Sequence, residues 1–170
     1  MDSKTLTRWM YERALAEAHG FGMKIDEAKS TYDRPWGGYL CIHEESYDRF
    51  AAAYWQDVDI PRPAPGMKLA PKILLIAPET RLSLQYHMRR SEHWRVLDGP
   101  VKIITGTSGD DLLETTRHAG DVIRIAISEW HRIVGTNNWA RIAEIWQHAV
   151  ATHPSDEEDI VRVQDDFGRR

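Results

Sequence analysis

A chain of 170 residues with 22 basic and 26 acidic side chains has a formal charge of −4, which speaks against nucleic acid or an anionic membrane surface as its partner. That length suits one domain of ordinary size with a core of its own. A single cysteine, Cys41, excludes an internal disulfide and a multi-thiolate metal site, so any metal must rest on histidine, carboxylate or amide groups.

The residues after Met1 are polar and charged, and no apolar run approaches the length of a membrane span, so a soluble, cytoplasmic protein is expected. Residues 3–18 (SKTLTRWMYERALAEA) place Leu6, Trp9, Met10 and Leu15 at helical spacing, with Ser3 or Thr5 as N-cap and HGFG as the stop. This predicts an amphipathic helix that packs on the rest of the fold or on a second subunit. Cys41 reads as a small core residue. A second short helix is predicted over 46–56 (SYDRFAAAYWQ), followed by a proline-rich loop over 59–66 in which regular structure cannot form.

From Lys68 onward the texture changes to short apolar or alternating runs: KILLIAP, RLSLQYH, HWRVLDG, VKIITG, LLETTRHAG, DVIRIA, HRIVG and ARIAEIWQH. They recur about every ten residues with turn formers between them, which predicts an all-β sandwich or small barrel rather than βαβ units. Residues 1–30 form the helical appendage and 31–170 the β domain. The charged tail contains Ile160, Val161, Val163 and Phe167, and these predict partial docking.

Within the second of those runs and the residues after it, LSLQYHMRRSEHW (82–94), Gln85 and His87 share a strand face because side chains alternate. Glu92 joins that face if MRRS forms a turn and the chain returns as a new strand. An amide, an imidazole and a carboxylate then converge, and His131, at the end of GDVIRIAISEWH, supplies a fourth donor. Mixed nitrogen and oxygen donors suit one divalent transition ion, with Zn, Mn, Fe, Ni and Co all compatible.

The spacing of these residues resembles the two cupin motifs. The first runs through Glu79, Gln85, His87, Glu92 and Gly99, the second through Gly120, Ala126, Ser128, His131 and Gly135. The resemblance is closer still to the type II mannose-6-phosphate isomerase family. RPWGGY (34–39) is similar to that family's opening, LSLQYHMRRSEHW to its LSLQxHxHRxEHW signature, AEIWQH (143–148) to its IEVQxG segment, and DEEDIVRVQDDFGR (156–169) to its ending. Arg89 stands where the family has a second histidine, and IAISEWH (125–131) stands for IPxGxxH.

The resemblance implies a cupin jelly-roll barrel, a double-stranded β-helix, holding one divalent ion, zinc foremost, on Gln85, His87, Glu92 and His131. It further implies an aldose–ketose isomerase of a small-molecule phosphosugar, with mannose 6-phosphate and fructose 6-phosphate as the expected pair. Glu144 and His148, which share a strand face, and then His93 are the candidates for the proton-transferring base. Arg34, Lys72, Arg89 and Arg162 are the candidates for the phosphate, since guanidinium groups bind its oxygens in a planar fork. Trp36, Trp94, Trp130 and Trp146 fall beside the motifs as pocket walls or core residues. A homodimer is expected. The alternatives on the same barrel are a non-catalytic metal- or sugar-phosphate-binding module, a metal-free sugar epimerase and an Fe(II) oxygenase.

Overall fold

Side chains of a pleated strand point alternately to its two faces, and this alternation sorts the apolar residues of the chain into two separate cores. In the computed structural model, which describes residues 3–60, 67–149 and 151–168, strand β3 (Lys72–Ile76) sends Leu74 and Ile76 into one core and Ile73 and Leu75 into the other. Its neighbour β10 (Ala140–His148) does the same with Ala140 and Ile142 on one side and Ala143 and Ile145 on the other. Both strands lie in the middle of a sheet covered on both faces, hence their nearly continuous apolar runs.

That sheet has six strands, in the order β1-β2-β3-β10-β5-β8, with β1 at Thr31–Arg34, β2 at Gly37–Cys41, β5 at Arg90–Asp98 and β8 at Val122–Ile125. Facing it is a five-stranded sheet formed by β11 (Ile160–Gln164), β4 (Leu84–His87), β9 (Trp130–Gly135), β6 (Val101–Gly106) and β7 (Leu113–Arg117), in that order. Every pairing among the described residues is antiparallel. From β3 to β6, and again from β7 to β11, each successive strand crosses to the opposite sheet, the winding of a jelly roll. Of the predicted runs, VKIITG and ARIAEIWQH coincide with β6 and β10. The corner β1-β2 was not predicted; it closes over β3 through Gly37, whose φ is +130° and whose place a Cβ could not take without coming within 1.9 Å of the Leu75 carbonyl.

The inner core, between the sheets, contains Trp94, Val96, Val101, Ile103, Ile123, Ile133 and Ile142. The outer core lies between the six-stranded sheet and the helices α1 (Ser3–Gly20) and α2 (Tyr47–Tyr54). Helix α1 buries Thr7, Met10, Ala14 and Ala18, the two alanines letting it lie close to the sheet, and Glu17 pins it by accepting from Tyr54 Oη at 3.0 Å and Arg141 Nη1 at 2.7 Å. Trp9, expected on the buried stripe, is instead 46% exposed, with the Arg13 guanidinium over its ring. Cys41 is buried as expected, and burial pushes its thiol up to about 11.

The tail docks differently from its expectation. Strand β11 pairs with β4, Ile160 opposite His87 and Arg162 opposite Gln85, while Val161, Val163 and Phe167 remain exposed. The ladder of backbone hydrogen bonds holds it, not the burial of those apolar side chains. Residues 61–66 of the proline-rich loop lie outside the described residues. None of the described helices is long and apolar enough to cross a membrane.

Candidate functional site

Three strands deliver the polar residues of the inter-sheet space. Gln85 and His87 come from β4, and Gln85 lies in register with His131 on β9. The chain then crosses to the other sheet through Met88 and Arg89 alone, so β5 already begins at Arg90. The predicted turn is thus two residues shorter than MRRS, and Arg90 and Glu92 both face inward.

His87, Glu92 and His131 bring a ligand atom each to within 4.8 Å of one another, and all three are buried. His131 Nδ1 lies 2.8 Å from the Glu129 carbonyl, and His87 Nδ1 lies 3.4 Å from the Asp159 carbonyl. A backbone carbonyl at Nδ1 makes that nitrogen the proton carrier and turns Nε2, with its lone pair, to the centre. There His87 Nε2 is 3.1 Å from Glu92 Oε1, and His131 Nε2 is 3.7 Å from Glu92 Oε2. An edge-on Trp94, centroid to centroid 5.4 Å, holds the His131 ring.

Burial opposes ionisation of Glu92, but its surroundings outweigh it, with the Arg90 guanidinium 2.8 Å from Oε1, and hold the carboxyl well below the usual range. For His131 burial dominates and lowers it to about 4, so the ring is neutral. An ionised carboxylate beside a neutral imidazole is the protonation state a divalent ion requires. Glu92 Oε2 and His131 Nε2 are moreover buried with no hydrogen-bond partner, which is costly unless a cation completes them. The residues therefore fit a divalent ion. Gln85 turns its amide nitrogen toward His87 Nε2 at 3.4 Å and accepts from Ser83 Oγ through Oε1 at 2.7 Å; only with the amide turned over would its oxygen face the cluster, Ser83 then accepting from the amide nitrogen.

Beside the cluster opens a cavity lined by Gln85, Arg90 and Glu92 on one side, by Glu144 and Trp146 from β10, and by Arg34, Lys72 and Arg162. Trp36 and Tyr39, stacked at 6.2 Å, form another wall. Glu144 is 6% exposed, and its two oxygens accept one indole N–H each, from Trp94 at 3.1 Å and Trp146 at 3.2 Å. Burial and then the charge of Glu92 raise it to about 7, against the lowering effect of Lys72 and Arg90. Burial works against the Lys72 charge, yet Glu144 and Glu157 more than offset it, and its ammonium sits 4.1 Å from the Trp146 ring centroid and 2.9 Å from Glu157.

Of the sequence candidates for the base and for the phosphate, three are not among the residues lining this cavity. His93 has the odd parity of β5 and faces outward, buried near Ser91, Arg124 and Gln147. His148 ends β10 and accepts the Ser155 backbone N–H on Nδ1 at 2.9 Å. Arg89 lies in the crossing between sheets, where it binds Asp156 at 2.9 Å, Asp159 at 3.3 Å and the Pro154 carbonyl at 3.0 Å. Of the aromatic candidates, Trp130 stacks on Tyr86 at 6.2 Å instead of walling the cavity. Sequence reasoning missed Arg90, Asp159 and Glu157. Arg90 was legible in principle, since it stands two residues before Glu92 and so shares its face once the strand includes it.

Residues 64–165 match the family model described as Mannose-6-phosphate isomerase C-terminal. The chain belongs to this family. Among curated proteins, the Xanthan biosynthesis protein XanB of Xanthomonas campestris pv. campestris strain B100 is 28% identical over 136 residues, 80% of this chain and 23% of that protein, and the XanB of strain ATCC 33913 is 27% identical over the same length. The chain thus spans less than a quarter of these relatives. Solved structures of similar fold include the capsular polysaccharide assembling protein CapF of Staphylococcus aureus (TM-score 0.53, 11% identity, 84% of this chain and 34% of that one). Vicilin of Corylus avellana (0.55, 19%, 79% and 35%) and the oxalate decarboxylase of Lactobacillus farciminis (0.54, 16%, 84% and 34%) are others. At such identities they establish the fold alone, a cupin-type barrel with an N-terminal helical appendage. This member of the mannose-6-phosphate isomerase C-terminal family keeps the inward His/Glu cluster, and its two departures have structural readings. Arg89 points away from the cluster into the tail. Ser128, where the related motif has glycine, keeps the left-handed φ of +64° that glycine favours, its N–H bonded to the His87 carbonyl at 2.8 Å.

Proposed function

We propose that the protein is a divalent-metal-dependent aldose–ketose isomerase of a phosphorylated sugar, with mannose 6-phosphate and fructose 6-phosphate as the substrate pair. The observation that carries this reading is one cavity lined together by the Glu92 carboxylate of the cluster, by the indole-clamped Glu144, and by Arg34, Lys72 and Arg162. Isomerisation moves a proton between two adjacent carbons through an enediol, and the barrier lies in the charge that develops on oxygen. A divalent ion held by His87, Glu92 and His131, with Gln85 as a fourth donor and zinc as the foremost candidate, would supply Lewis acidity toward that oxygen.

The remaining work belongs to the chain. Glu144 acts as the base, taking the proton from the carbon beside the carbonyl and returning it to the neighbouring carbon. Trp94 and Trp146 hold its carboxylate in one orientation through their N–H groups. A value near 7 populates both the accepting and the donating form at neutral pH. Lys72, Arg34 and Arg162 take the phosphate, and the stacked Trp36 and Tyr39 offer a flat apolar wall to the sugar's C–H face.

The test is conversion of mannose 6-phosphate to fructose 6-phosphate by the purified protein supplied with Zn²⁺ or Mn²⁺. Turnover that requires the ion and is lost in Glu144→Gln supports the reading. Tight binding of mannose 6-phosphate without turnover would replace it with that of a sugar-phosphate-binding module.

A further inference from the structure

We infer that Arg90 is the resident counter-cation of the His87–Glu92–His131 cluster: it holds half of the donor set while no ion is bound, and a divalent ion binds by displacing it from His87. The inference rests on the metal reading of the cluster and adds to it a competitor built into the chain.

Arg90 is 2% exposed, an unusual place for a guanidinium that cannot shed its charge. Its Nε donates to Glu92 Oε1 at 2.8 Å and its Nη2 lies 3.1 Å from His87 Nε2. Nη1 donates to Ser155 Oγ at 2.9 Å and to the Asp156 carbonyl at 3.0 Å, and the guanidinium carbon stands 3.6 Å from the Trp146 ring. A buried guanidinium needs an acceptor of opposite charge inside the fold, and Glu92, equally buried and 2.8 Å away, is that partner.

The two halves of the cluster are therefore unlike. Glu92 Oε1 and His87 Nε2 are engaged by Arg90, whereas Glu92 Oε2 and His131 Nε2 have no hydrogen-bond partner. An entering cation meets the open half first. His87 Nε2 has a single lone pair, which cannot accept from Nη2 and coordinate an ion together. Binding through His87 thus requires Nη2 to withdraw, while Ser155, Asp156 and Trp146 give the guanidinium a second set of contacts that keeps it inside the cavity. The lost hydrogen bond and the remaining repulsion between the two cations both lower the affinity of the donor set for the ion.

The experiment compares Zn²⁺ affinity, by competition with a chromogenic chelator, and thermal unfolding with and without saturating Zn²⁺, in the full-length protein and in Arg90→Gln. The variant is expected to bind Zn²⁺ roughly tenfold or more tightly, since one charge-assisted hydrogen bond no longer has to break. It should also melt several degrees lower than the parent without Zn²⁺ and close to it with Zn²⁺. Equal or weaker Zn²⁺ affinity in the variant overturns the inference. Should Arg90→Gln fail to fold, the ¹H–¹⁵N resonances of the Arg90 guanidinium in the unaltered protein decide: they move in step with Zn²⁺ occupancy if it is displaced, and their constancy at full occupancy overturns it. Absence of Zn²⁺ binding in both proteins is a different failure, which removes the metal reading itself.

Discussion

The space between the two sheets has two ends built from the same strands. At one end β5, β9 and β10 contribute Val96, Ile133 and Ile142, packed with Val101 and Ile103 into a dry core. At the other, the same strands carry Arg90 and Glu92, His131, and Glu144, which shares its buried end with Trp146. Inward residues keep one parity along each strand, so the chain crosses from aliphatic to ionisable side chains within a single step of two residues, as from Ile133 to His131 or from Ile142 to Glu144. Trp94 stands at that boundary, packed with the aliphatic core while its indole N–H reaches Glu144. The difference shows that the barrel's stability and its chemistry occupy separate stretches of one interior, and variants at the two ends should fail in different ways.

The largest expected effect is at the ionisable end. Glu144→Gln removes the proposed base and should lower kcat by roughly 10²- to 10⁴-fold with little change in bound metal. In the unaltered protein burial and Glu92 lift Glu144 to about 7, so its base form accumulates only as pH rises through that value. The pH profile of kcat/KM should accordingly climb with a limb near 7 and then level; a rate independent of pH between 5 and 8 would remove Glu144 from the role.

The reciprocal change at the dry end is Ile103→Ala, at a residue 1% exposed. Loss of a buried isoleucine costs roughly 2–5 kcal/mol of stability, read from denaturant unfolding, while metal content and KM stay as they were. Loss of metal in this variant would mean that the two ends are not independent.

Smaller effects sharpen the picture. Lys72→Met should raise KM for the phosphorylated sugar about tenfold, the worth of one charge-assisted contact, and leave the affinity for Zn²⁺ unchanged within error in chelator competition. Ser128→Gly should stabilise the protein by about 0.5–1 kcal/mol, because glycine adopts the φ of +64° without a Cβ clash; a loss of stability in thermal unfolding would show that the bond from Ser128 Oγ to Met88 matters more.

Much of this interior was legible in the sequence where strand parity governs it. Gln85, His87 and Glu92 lie near one another because alternation puts them on one face once a turn intervenes, and His131 joins them as a register partner of Gln85. Arg34, Lys72 and Arg162 came from chemical type and a family resemblance, and they line one cavity. What escaped depended on where a strand begins. Taking Arg90 and Ser91 as turn residues hid a buried guanidinium, and taking Arg89 as a cavity residue ignored that a two-residue crossing points its side chain at the tail. His93 shows the converse error: adjacent to Glu92 in sequence, it lies on the opposite face of β5. The tail's docking was expected from Ile160, Val161, Val163 and Phe167, yet it depends on a backbone ladder and on Asp159, whose carboxylate accepts the N–H groups of Met88 and Arg89 at 3.2 and 3.0 Å. Apolar counting does not register such contacts.

The central claim is that two imidazoles and a carboxylate from three strands surround one cation. Elemental analysis of the purified protein beside His87→Ala and His131→Ala tests it most directly. The account predicts about one divalent ion per chain in the parent and near-complete loss in each variant with the fold intact by circular dichroism; full retention of the ion by both variants would contradict it.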